Sequence, residues 1–148
     1  MRLGFTLPPG WREHVHDDVV RLVAGDEPGL LVEAGPLVGI ERFHPSEIIG
    51  RAAGKVEIIE AQKRLETATG WPMELVRAQV LDAAGAPTEV RLAAVYVMAY
   101  FGGLAIARVE PARFEAVRDV LVQILTSARP RYRDVEPVTI AELFEMTP

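Results

Sequence analysis

Cysteine is absent from the 148-residue chain, which excludes disulfides, iron–sulfur clusters, thiolate zinc sites, thiol nucleophiles and a lipidated cysteine. Serine is scarce: only Ser46 and Ser127 occur, and neither stands in the Gly-x-Ser-x-Gly elbow of a serine hydrolase. Asparagine is missing, and Lys55 and Lys63 are the only lysines among 16 basic residues. That bias reads as the codon usage of a GC-rich genome and carries no functional meaning. No run approaches the roughly 20 apolar residues that a membrane-spanning helix needs. Blocks of like charge are absent too. With a net charge of −5 and both signs scattered along the chain, there is no electrostatic footprint for nucleic acid or an anionic membrane. The opening stretch runs into Pro8-Pro9-Gly10 without the apolar core of a signal peptide, so a cytoplasmic location is expected.

What is present belongs to a globular protein: 49% hydrophobic and 25% charged residues. The expected organisation is a single α+β domain over 1–130 and a C-terminal extension, 131–148, with a short helix opened by the capping box Thr139-Ile140-Ala141-Glu142. In the first third, Asp18–Ala24 and Leu30–Val38 read as strands around the turn signal Gly25-Asp26-Glu27-Pro28-Gly29. His44-Pro45-Ser46-Glu47 starts a short helix near residues 45–53, stopped by Gly54. From Val56 to Thr69 helix and strand templates both fit in part, with strand favoured in the latter half. Glu74–Leu81, Thr88–Phe101 and Leu104–Val109 then read as three antiparallel strands, turning at 82–87 and at Gly102-Gly103. Phe114, Val117, Leu121, Ile124, Leu125 and Ala128 recur at spacings of three and four, one face of a long helix bounded by Pro111 and Pro130. The fold class is therefore α+β, an antiparallel β-sheet with this C-terminal helix packed on one face.

Thr88–Phe101 carries the functional signal. Val90, Leu92, Ala94, Tyr96, Met98 and Tyr100 share the face expected to lie under the helix. The opposite face begins polar with Glu89 and Arg91 and continues as Ala93, Val95, Val97, Ala99 and Phe101. A sheet with one solvated face needs no such apolar series. Either the chain covers it with a second layer of its own, or Arg91, Ala93, Val95, Val97, Ala99 and Phe101 form a partner-binding surface.

Catalytic constellations are wanting. His14 and His16 could share a strand face with a carboxylate nearby, but lack a third metal ligand at a recognised spacing. Glu57, Glu60 and Glu66 fit a solvated face. Gly102-Gly103 precedes a strand and not the helix that phosphate binding requires. Trp11 and Trp71 each sit beside a turn, where either a core anchor or a binding aromatic fits. The expectation is a non-enzyme with no metal and no cofactor.

The order of Phe5-Thr6-Leu7-Pro8-Pro9-Gly10-Trp11, Gly70-Trp71-Pro72, the Glu89–Tyr96 strand and the Phe114–Ala128 helix running into Arg129-Pro130 resembles the PsbP-like/DcrB-like superfamily. That resemblance implies an antiparallel sheet with packed helices. It extends to a cytoplasmic branch, the Eag chaperones of type VI secretion, and so implies a chaperone or adaptor that shields a hydrophobic segment of an effector on a sheet face, acting as a homodimer. The alternative is a small-ligand carrier or small enzyme with a pocket between sheet and helix, lined by Tyr96, Met98 and Tyr100.

Overall fold

The structure, a computed structural model, describes residues 2–25, 30–37, 55–98 and 101–131. The expected short helix at 45–53 and the extension beyond residue 131 lie outside the described residues, as do Ala99 and Tyr100. Among the described residues the chain forms β1 (Arg2–Gly4), β2 (Trp11–His16), β3 (Val19–Ala24), β4 (Leu31–Leu37), β5 (Lys55–Glu66), β6 (Pro72–Leu81), β7 (Pro87–Met98) and β8 (Phe101–Val109). A single 3-10 turn, Pro111–Arg113, then leads into helix α1 (Phe114–Thr126), and β9 (Arg129–Arg131) follows. Seven strands make one sheet in the order β2-β3-β4-β8-β7-β6-β5, and β1 pairs with β9 in a separate two-stranded ribbon. Every described pairing is antiparallel. The architecture is α+β, with α1 on one face of the sheet.

Alternation along β7 places that core. Val90, Leu92, Ala94, Tyr96 and Met98 are all buried, in one cluster with Phe114, Val117, Leu121, Ile124 and Leu125 of α1. Cross-strand register carries the same face sideways: Met73 and Leu75 of β6 stand opposite Tyr96 and Ala94, and Ala105 and Ala107 of β8 opposite Ala94 and Leu92. Small residues on β8 leave room for the helix, whose apolar stripe is the one expected from spacing. The helix end is tied in several ways. Tyr96 donates its hydroxyl hydrogen to Leu125 O at 2.6 Å. Ser127 Oγ donates to Ile124 O at 2.6 Å and accepts from Thr6 N at 2.9 Å, so it caps α1 and anchors the N-terminal segment. Trp11 and Trp71 pack against the core, as anchors beside turns.

Several boundaries differ from the sequence reading. The turn expected at Gly102-Gly103 is not there: Met98 pairs with Phe101, and Gly102 and Gly103 lie inside β8. Gly103 serves packing there: a Cβ on it would stand 2.9 Å from Leu3 Cδ1. β5 is a strand along its whole length and ends at Glu66; Thr67–Gly70 forms the turn, held by Gly70 N to Thr67 O at 2.9 Å and docked on α1 by Ala68 N to Thr126 O at 2.8 Å. His14 and His16 lie on the edge strand β2, exposed. Pro130 belongs to β9, paired with Leu3.

The β5 edge of the sheet is blunted. β5 is studded with Lys55, Glu57, Glu60, Lys63, Arg64 and Glu66 and interrupted by two register shifts, between Ile58 and Glu60 and between Gln62 and Leu65. Charge and bulges of this kind discourage edge-to-edge pairing.

Candidate functional site

The face of the sheet turned away from α1 is set by the odd-numbered residues of β7. Arg91, Ala93 and Val95 stand opposite Ala78, Val76 and Glu74 of β6, and opposite Arg108, Ile106 and Leu104 of β8. Ala93 (0% exposed), Val95 (6%) and Arg91 (5%) are buried, and Val97 is 53% exposed. Val76, Ala78 and Ala93 form a second small apolar cluster, with Val56, Leu104 and Ile106 packed against it. Phe101 opens β8 through its backbone; its side chain and all of Ala99 lie outside the described residues.

This face is therefore not uniform. Its middle is buried, and open apolar surface remains at Val97 and at Val19. Beside Leu104 a groove of about 240 Å³ runs along β3, β4 and β8, with Val19, Gly35 and Ile106 as apolar lining and Glu33 and Arg108 at its rim. Gly35 is paired with Leu104, and Gly102 with Val97, so bare backbone flanks two apolar side chains.

Charge enters at one end. Arg91 Nε lies 3.4 Å from Glu89 Oε1, which is also 3.8 Å from Arg108 Nε. Arg91 Nε and Nη1 are nonetheless buried without a hydrogen-bond partner, as is Glu89 Oε1. A guanidinium held so deep with unused donors is costly. Arg91, expected among the partner-binding residues, is thus buried with Ala93 and Val95; alternation along β7 places it on their face but does not fix that burial.

On the α1 side a second concavity opens, a cleft of about 290 Å³ between β5, β6 and the helix. Leu75, Leu92, Phe114 and Val122 supply its apolar lining, and Glu60, Arg77 and Arg118 are among its charged residues. Tyr96 and Met98, expected to line a pocket between these layers, are fully buried in the core and are not part of it. Burial holds the Tyr96 phenol well above its ordinary pKa of 10.0, so the ring serves as a neutral hydrogen-bond donor. Among the described residues no cluster of three or more His, Asp or Glu could hold a metal, and no helix is long and apolar enough to cross a membrane.

Comparison with known proteins gives a fold and no more. No family model matches the sequence, and no curated protein matches it. The solution structure of cyanobacterial PsbP (CyanoP) from Synechocystis sp. PCC 6803 is similar to this chain at a TM-score of 0.66 and 14% identity, over 87% of this chain and 86% of that one. The crystal structure of PA94 from Pseudomonas aeruginosa, described as a protein of unknown function and putative regulator, is similar at a TM-score of 0.53 and 7% identity, over 82% and 98%. The chain thus has a PsbP-like fold, and identities this low transfer no activity.

Proposed function

We propose that the chain is a non-catalytic adaptor or chaperone that receives an apolar segment of a protein partner on the sheet face opposite α1. The observation that carries this reading is Val97. It sits at the end of β7, 53% exposed, next to buried Val95 and across from Gly102, where a solvated position would ordinarily carry a polar residue. The neighbouring groove at Val19, Gly35, Leu104 and Ile106 extends the apolar surface. Extended segments are suited to such a surface, since alternate side chains can enter it while their backbone crosses the glycines.

The Eag-type resemblance gives the partner a finer description: a hydrophobic segment of a secreted effector, shielded in the cytoplasm by a homodimer of this chain. Support for it comes from the sequence resemblance and the apolar face alone. Site-specific photocrosslinking tests the surface. A photoreactive residue at position 97 is expected to capture a partner through an apolar segment, and one at the exposed Val120 of α1 is not. Equal capture at both positions, or none at 97, refutes the assignment.

A second reading, the small-ligand carrier or small enzyme, is favoured by the cleft between sheet and helix.

A further inference from the structure

The cleft beside α1 is built unlike a packing defect. Its outer wall is the stretch of β5 between the two register shifts, where Glu60 and Gln62 project. Bulges bend a strand and re-aim its side chains. The floor is apolar: Leu75, Leu92 and Phe114 are core residues, and Val122 packs against them. Above the floor stand two cations from different elements, Arg77 of β6 and Arg118 of α1, with the carboxylate of Asp119 beside Arg118 also in the lining.

The two guanidiniums are placed but not consumed. Arg77 lies over the Phe114 ring, 4.8 Å from its centroid, a cation–π contact that orients the planar group and leaves its N–H edges free. Its ion-pair partner is Glu115, at 3.9 Å. Arg118 stands 3.8 Å from Glu115 and 3.8 Å from Asp119. Both carboxylates are largely solvated, with side chains 72% and 98% exposed, so they hold the arginines weakly. Across the cleft, Glu60 has one oxygen occupied by Gln62 Nε2 at 3.2 Å.

We propose that this cleft binds a small carboxylate with an apolar body, of the size of a single-ring or short aliphatic acid. The carboxylate takes the free donors of Arg77 and Arg118, a charge-assisted arrangement suited to the guanidinium fork. The apolar body covers Leu75, Phe114 and Val122, in keeping with pockets that combine apolar walls with a few polar groups fixing orientation. The inference stands apart from the adaptor reading, because the cleft and Val97 lie on opposite faces of the sheet.

The test is a titration of the full chain with 3-phenylpropanoate, hexanoate and the cation 2-phenylethylamine, followed by amide NMR shifts. Both acids are expected to give saturable shifts at Leu75, Arg77, Leu92 and Val122, and the amine none. Arg77→Met and Arg118→Met are each expected to weaken acid binding about tenfold or more, as loss of one charge-assisted hydrogen bond implies. Val97→Asp should bind the acids as the parent does, which separates failure here from failure of the adaptor reading. Arg118 lies on the solvated side of α1, so its variant stays informative if Arg77→Met perturbs the fold. Absence of saturation with both acids, equal binding of the amine, or unchanged affinity in both variants overturns the proposal.

Discussion

The Tyr96 hydroxyl donates a hydrogen bond to Leu125 O at 2.6 Å, joining the interior strand β7 to the last turn of α1. Both residues are fully buried, and this link fixes the height of the helix over the sheet. Tyr96→Phe is expected to cost about 1 kcal/mol, the net value of a buried hydrogen bond, because Ala128 N still approaches Leu125 O. Chemical denaturation of the two proteins at neutral pH measures it.

The same residue sets an alkaline limit. Its folded pKa is raised above 10.0 by burial, so above pH 10 the unfolded state gives up the phenolic proton and the folded state keeps it. The unfolded state then binds fewer protons, and stability falls as pH rises. This contribution is complete below pH 10 and is lost as pH rises from there towards the folded pKa. The stability advantage of the parent over Tyr96→Phe is expected to shrink between pH 10 and higher values; an advantage that stays constant contradicts it.

Gly103 and Leu3 form a size-matched pair across the two sheets. A Cβ at Gly103 would lie 2.9 and 3.0 Å from the two Leu3 δ-carbons, closer than packing permits. Gly103→Ala is expected to destabilise by about 1–3 kcal/mol through overpacking. Shortening Leu3 to Val in the same chain should recover part of that, giving a non-additive double-mutant cycle.

Much of the fold was legible where one periodicity held over many residues. The apolar spacing from Phe114 to Ala128 placed α1, and alternation from Val90 to Met98 assigned the two faces of β7. β5 was ambiguous for a physical reason: as an edge strand bearing two bulges it is exposed on nearly every side chain, so neither a period of 2 nor of 3.6 survives. β1 and β9 have three residues each, too few for any pattern, and Pro130 pointed to a helix stop while also occupying a strand. Gly102-Gly103 carried a turn signal, although Gly103 is glycine because Leu3 needs its space. The partner face was legible as an apolar series, but burial of Arg91, Ala93 and Val95 beside an exposed Val97 was not, because burial depends on neighbouring strands. The cleft was invisible for the same reason: Glu60, Arg77 and Arg118 come from three elements, and no local spacing unites them.

Arg91 offers a stability–function contrast. Its Nε and Nη1 are buried without a hydrogen-bond partner, and its guanidinium is held by the ion pair with Glu89 at 3.4 Å. Arg91→Met alone removes one member of this pair and leaves the buried Glu89 Oε1 poorly compensated, an expected cost of about 3–5 kcal/mol, whereas Arg91→Met together with Glu89→Met replaces both charges and is expected to be neutral or to gain about 1–4 kcal/mol. Thermal unfolding of both variants checks this, and a single variant as stable as the parent would contradict it.

The most direct test of the adaptor reading is Val97→Asp, with thermal unfolding and quantitative capture of bound proteins from native extract measured side by side with the parent. A partner-binding face predicts a variant that folds like the parent and binds the parent's apolar-segment partner about tenfold or more weakly, the worth of one buried apolar side chain. A folded variant that keeps the same partner contradicts the account, and so does a variant that fails to fold, since an exposed Val97 can accept a charge and a buried core position cannot.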